Sequence, residues 1–187
     1  MSLLVGTDAS GQTAQAAGYI FGCQFTAVAT GTSVTFRVYS TSSGNIKVAI
    51  YSDNAGAPAT RLWHNSTGAA VTGGQFNEIS AAGVSITSGT AYWLMTNGDA
   101  SGCSSRASSS GGQPRVRLSK TYSTWTWPET DEGGYTADNY TMMLYVDGTE
   151  SGGWEHISKM NGVSSSSISK INGIAVASIS KINGIEV

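Results

Sequence analysis

With 187 residues, 12% charged side chains, 24 glycines and a net charge of −2, the chain is sized for one domain plus an appendage and carries no basic excess suited to a nucleic-acid partner. No run of eighteen apolar residues occurs, which excludes a membrane-spanning helix and any membrane partner that depends on one. Glycine, serine and threonine in such numbers, with so few charges, point to short strands joined by polar turns, an all-β fold.

Met1 to Asp8 has neither a basic n-region nor an apolar h-region, so synthesis in a cytoplasm without a secretory signal is expected. Residues 1–17 are small and polar and read as an N-terminal arm or a first edge strand. From Gly18, Tyr19, Phe21, Cys23 and Phe25 alternate with Ile20, Gly22 and Gln24, and Val28 continues the run, the period of a strand. Gly31-Thr32 is expected to turn the chain. Val34, Phe36 and Val38 then share one face, and after the Ser42-Ser43-Gly44-Asn45 turn Ile46, Val48 and Ile50 repeat the pattern with Lys47 outward. These two stretches are predicted to be neighbouring antiparallel strands.

Tyr51 to Pro58 is a dense run of turn formers, because Asp and Asn bond their own backbone, Gly tolerates positive φ and Pro fixes φ. Leu62-Trp63, Phe76 to Ser80 and Val84 to Ile86 are further strand segments. Ala91 to Thr96 is apolar on both faces and suits a central strand. Gly98 to Gly112 is nearly all Gly, Ser, Ala and Asp and is expected to be a long surface loop. Arg115 to Leu118 alternates, Tyr122 to Tyr135 forms an aromatic, irregular excursion, and Tyr140 to Val146 closes the domain with Met142, Leu144 and Val146 inward. Eight or nine strands at this spacing make a two-sheet sandwich over residues 18–147. Residues 148–156 are expected to form a hinge with Trp154 at the junction, and residues 157–187 a tail.

The tail repeats. Ile157 to Val163, Ile168 to Ile174 and Ile179 to Ile185 start eleven residues apart, and a fixed period marks a unit that relies on neighbours to bury its apolar face. A right-handed helical coiled coil has that period too, but Asn161-Gly162, Asn172-Gly173 and Asn183-Gly184 oppose a helix, since interior Gly costs about 1 kcal/mol against Ala. Asn-Gly between β-branched residues signals a type I′ hairpin, with Ile171 opposite Ile174, Lys170 opposite Ala175 and Ser169 opposite Val176. The apolar positions Ile157, Met160, Val163, Ile168, Ile171, Ile174, Ile179, Ile182 and Ile185 are the candidate assembly residues.

Chemistry-bearing groups are sparse. His64 and His156 lie without a Gly-x-Ser-x-Gly elbow and read as surface or packing residues, so no catalytic residue is assigned. Cys23 and Cys103, eighty residues apart, make no zinc pattern and read as free thiols, with a late disulfide the alternative. Glu129, Asp131 and Glu132 form an acidic turn. With Asp138 their oxygens suit calcium, but no EF-hand-like ligand spacing is present, so no metal or cofactor is expected. Trp125 and Trp127, two apart, with Tyr122 and Tyr135, are either a flat platform for a glycan or filling for the core.

Ser-Ile-Ser-Lys-Ile-Asn-Gly-Ile (178 to 185) resembles the C-terminal repeats of virion proteins of bacteriophages and marine viruses. Ile46 to Trp63, Gly89-Thr90-Ala91-Tyr92-Trp93-Leu94, Trp127-Pro128 and Asn139-Tyr140 are similar to phrases of jelly-roll-like β-sandwich modules in viral and bacterial surface proteins. The resemblance implies a non-enzymatic virion structural protein, such as a capsid decoration, fibre or tail-appendage subunit. Its partners would be itself, as a homotrimer, and other virion proteins. The alternative class is a glycan-binding module or adhesin for host surface polysaccharide. A domain detached from a hydrolase is a third reading, weakened by the missing acid/base pair.

Overall fold

The computed structural model describes residues 1–9, 13–107 and 112–151, and in the tail residues 159–160, 163–164, 170–171, 174–175, 181–182 and 185–186. The chain divides into two compact units, Met1–Thr149 and Glu150–Val187. In chain order the first unit contains β1 (Ser2–Gly6), β2 (Thr13–Ala14), β3 (Tyr19–Thr26), β4 (Gly31–Ser40), β5 (Gly44–Asn54), β6 (Ala57–His64), β7 (Ala69–Val71), β8 (Gln75–Ser80), β9 (Ser85–Ile86), β10 (Ala91–Gly98), β11 (Ser105–Arg106), β12 (Pro114–Ser119), β13 (Thr136–Asn139) and β14 (Leu144–Glu150). It is an all-β, antiparallel sandwich.

One sheet runs β1-β14-β4-β8, with β9 also on β4; the other runs β13-β12-β3-β10-β5-β6, with β7 also on β5. The strand periodicity of the sequence feeds a core between them. Phe36 and Val38 of β4, Leu144 and Val146 of β14, and Leu4 of β1 meet Phe21 and Cys23 of β3, Ile46, Val48 and Ile50 of β5, and Leu94 of β10. Burial on this scale, about 1.5–3 kcal/mol for each large apolar side chain, is what opposes the chain's conformational entropy.

The segment Tyr92 to Thr96 is central, paired with β3 on one side and β5 on the other. β4 and β5, by contrast, are not neighbours: they lie in different sheets and face each other across the core. Alternation reports which face is buried and not which strand lies alongside. At the connection, Thr41 and Ser42 donate their N–H groups to the Gly102 carbonyl instead of to each other. Gly31-Thr32 opens β4, opposite Ile86 and Ser85, so the reversal falls earlier and leaves Val28 64% exposed. The run Tyr51 to Pro58 is the tip of the β5–β6 hairpin, Asn54 opposite Ala57, with Ala55 and Gly56 at φ 53° and 83°. Two positive φ values suit the twist of flanking strands.

Three further expectations are corrected. Lys47 does not face solvent; it is buried, because a second layer covers the outer face of the seven-stranded sheet. The stretch 98–112 is not a surface loop throughout: Cys103, Ser104 and Ser105 are buried, and β11 within it pairs with β2. Gly148, placed in the hinge by its Gly-rich surroundings, belongs to β14 and sits opposite Ser2.

Among the described residues the second unit holds three two-stranded antiparallel sheets, β15 (Lys159–Met160) with β16 (Val163–Ser164), β17 (Lys170–Ile171) with β18 (Ile174–Ala175), and β19 (Lys181–Ile182) with β20 (Ile185–Glu186). Met160 faces Val163, Ile171 faces Ile174 and Ile182 faces Ile185, one register three times. Ile171 with Ile174 and Lys170 with Ala175 are the pairs that the Asn-Gly reading requires. Ile157, Ile168, Ile179, Trp154, His156, the Ser169–Val176 pair and the turn residues Asn161, Gly162, Asn172, Gly173, Asn183 and Gly184 lie outside the described residues.

Candidate functional site

The aromatic excursion is built as a lid. Trp125 and Trp127 are 8% and 3% exposed, packed edge to face at 5.9 Å on Ile20, Ala49, Tyr51, Trp93, Met95 and Val116. This corrects the platform reading, since rings this buried present no face to a glycan. The reason is that β3, β5 and β10 carry apolar side chains on both faces, and the second face also needs a cover. The segment does so without joining the sheet as a long strand, so side chains satisfy its backbone. Lys47 Nζ donates to the Tyr122 and Trp125 carbonyls, both at 2.8 Å, and lies 4.7 Å from the Tyr122 ring centroid. Tyr51 Oη donates to the Pro128 carbonyl at 2.6 Å, and an Arg61 guanidinium N–H to that of Trp127. Tyr122 and Tyr135 are half-buried. Tyr135 donates to Asp131 at 2.5 Å, and burial together with that carboxylate pushes its phenol well above the usual range.

The acidic residues are separately engaged. Glu129 pairs with Arg61 at 3.7 Å and Glu132 with Lys120 at 3.9 Å, while Asp138 takes Nε and Nη2 of Arg115 at 2.7 Å each. Among the described residues no three His, Cys, Asp or Glu side chains converge on a metal position. His64 is half-buried, its Nδ1 has no hydrogen-bond partner among the described residues, and burial, followed by Arg61, holds its pKa below the ordinary value.

Cys23 and Cys103 are free and buried. Burial pushes the Cys23 thiol up to about 12, and Cys103, beside Asp99 at 3.6 Å, is also raised by burial. The thiolate is the reactive form. Neither thiol is therefore expected to react with Ellman's reagent at mildly alkaline pH in the folded protein, whereas both should react in denaturant; rapid native labelling of either would contradict this burial.

A groove of about 430 Å³ opens between the β12–β13 flank and the β2–β11 ribbon. It is lined by Gln15, Arg106, Arg115, Arg117, Asp138 and Tyr140, within the usual size range of small-molecule sites. Arg115, 4% exposed, is fixed by its fork on Asp138 and by a bond from Nη1 to Gln15 Oε1. The Arg106 and Arg115 guanidinium carbons lie 4.1 and 4.3 Å from the Tyr140 ring centroid, a stacking that orients both. Arg106 Nε is buried without a hydrogen-bond partner among the described residues, and Arg117 is exposed. Neither has a carboxylate in salt-bridge reach among the described residues.

Alternation marks Arg115 and Arg117 as strand residues and does not connect them with Arg106 or Gln15. The available signal was two arginines two apart in a chain with ten basic residues. The chain matches no protein-family model and no curated protein.

Proposed function

We propose that the chain is a non-enzymatic structural subunit of a virion, with a β-sandwich head and a repeat tail through which copies associate. The observation that carries this reading is the tail: three hairpins in one register, each a separate two-stranded sheet with two-residue strands. A hairpin of that size is marginal alone in water, and its outer backbone edges are templates for another chain. The virion context rests on the resemblance of the repeat string, and threefold symmetry rests on the same resemblance together with Lys159, Lys170 and Lys181 recurring at one position, where they would guard a stem's edges.

The full chain is expected to sediment as a trimer and a chain ending at Glu150, after the last residue of β14, as a folded monomer. Gly173→Val, which removes the residue best suited to the second turn position, should weaken assembly and leave the head folded. A monodisperse monomer for full chain and truncation alike at high concentration would overturn self-association. A second reading, a module that recognises host surface polysaccharide, draws support from the arginine-lined groove and none from Trp125 or Trp127.

A further inference from the structure

The groove beside β12 concentrates charge that the rest of the head does not have. Residues 1–149 contain seven Lys and Arg against nine Asp and Glu, yet three of those seven cations line this one groove, with Asp138 the one carboxylate among its lining residues. Elsewhere Arg37 is bound to Glu78 and Asp147, Arg61 and Lys120 face acids, and Lys47 is buried on carbonyls. Arg106 and Arg117 remain, one stacked and partly desolvated, the other exposed, both beside a third arginine that is already held in place.

We infer that this groove binds a carboxylate-bearing saccharide, the carboxylate taken by Arg106 and Arg117. A guanidinium presents N–H donors in a planar fork matched to a carboxylate, and the stacking on Tyr140 holds the Arg106 fork before a ligand arrives. Arg115 is a positioning residue: its N–H groups are spent largely on Asp138 and Gln15, and it fixes the floor. Each Asp138 oxygen accepts one bond from Arg115 and keeps acceptor capacity, suited to sugar hydroxyls next to the acid group. A nucleic acid is disfavoured, because its affinity comes from neutralising many phosphates along a basic track, and three arginines in one groove of a head whose acids outnumber its bases make no such track. The inference is independent of tail assembly.

The test is calorimetric titration of the full chain at low ionic strength with a short uronic-acid oligosaccharide. Parallel titrations use its carboxyl-reduced neutral counterpart, a sulfated oligosaccharide, inorganic phosphate and a short DNA duplex. One site per chain is expected for the uronate, weakening as salt is added, with no saturable binding of the neutral sugar. Arg117→Gln and Arg106→Gln should each weaken binding about tenfold, the scale of one charge-assisted hydrogen bond. The double variant should abolish it with the melting temperature unchanged. Arg117→Lys, which keeps the charge and loses the fork, should recover only part of the affinity. Equal binding of the neutral sugar, undiminished binding by both glutamine variants, preference for phosphate, sulfate or DNA, or no uronate binding at millimolar concentration would each overturn the assignment. Native mass measured on the same samples keeps this result separate from the assembly reading, since a monomer that binds uronate retains the site and loses only the proposed stem.

Discussion

Gly148→Val is expected to destabilise the head by about 3 kcal/mol or more, at the severe end of overpacking substitutions. A Cβ on Gly148 would lie 2.1 Å from the Thr32 carbonyl oxygen, 2.9 Å from its carbon and 2.7 Å from Leu4 Cδ1. None of these can move cheaply. Thr32 is held in β4 opposite Ser85, Leu4 is a fully buried core residue, and Gly148 itself is paired with Ser2. Valine adds two further methyl groups to a space that does not accept the first carbon. Equilibrium unfolding in urea, followed by tryptophan fluorescence, measures the loss. Ser151→Val, three residues on and exposed, should change stability by no more than about 0.5 kcal/mol. Wild-type stability for Gly148→Val would mean that the residue sits in slack chain after all.

Lys47→Met should cost about 2–4 kcal/mol, although it replaces a charge by an apolar side chain of similar length in a buried position. Burying an ammonium is expensive, and here the expense is met by two carbonyls at 2.8 Å and the face of Tyr122. Methionine fills the space but donates nothing, so the Tyr122 and Trp125 carbonyls lose their bonds under the lid, at about 1–3 kcal/mol for each acceptor left buried and unpaired. Because the lid carries the Trp125 and Trp127 pair, near-ultraviolet circular dichroism should change along with the unfolding midpoint. An unaltered spectrum and midpoint would show that Lys47 does not hold the excursion.

What could be read from sequence was set by range. The strand Tyr92 to Thr96 was legible because apolar residues on both faces leave few places other than the middle of a covered sheet. The hairpin registers Ile171 with Ile174 and Lys170 with Ala175 were legible because Asn-Gly fixes pairing within a few residues. Lys47 was misplaced by the rule that a lysine between Ile46 and Val48 points to water; its partners come from Tyr122 and Trp125, more than seventy residues on. The same holds for the groove. Arg115 meets Gln15 across 100 positions, and Arg106 reaches Tyr140 from another strand, so no local pattern announces that these four side chains share one place. Sheet membership of β4 and β5 failed for a different reason: a short polar connection reads alike whether the chain folds back beside itself or crosses to the opposite sheet.

The position of β14 has a mechanical meaning. It runs between β1 and β4, and its last residue, Glu150, is where the chain leaves the head. A pull delivered along the chain from that end loads β14 in shear against a ladder on either flank, so the backbone bonds share the force and must rupture together. A strand at the rim, drawn sideways, would instead unzip bond by bond at far lower force. Under tension the head should thus hold until one abrupt failure, its lifetime set by the rate of forced unfolding and not by the equilibrium stability that denaturant reports.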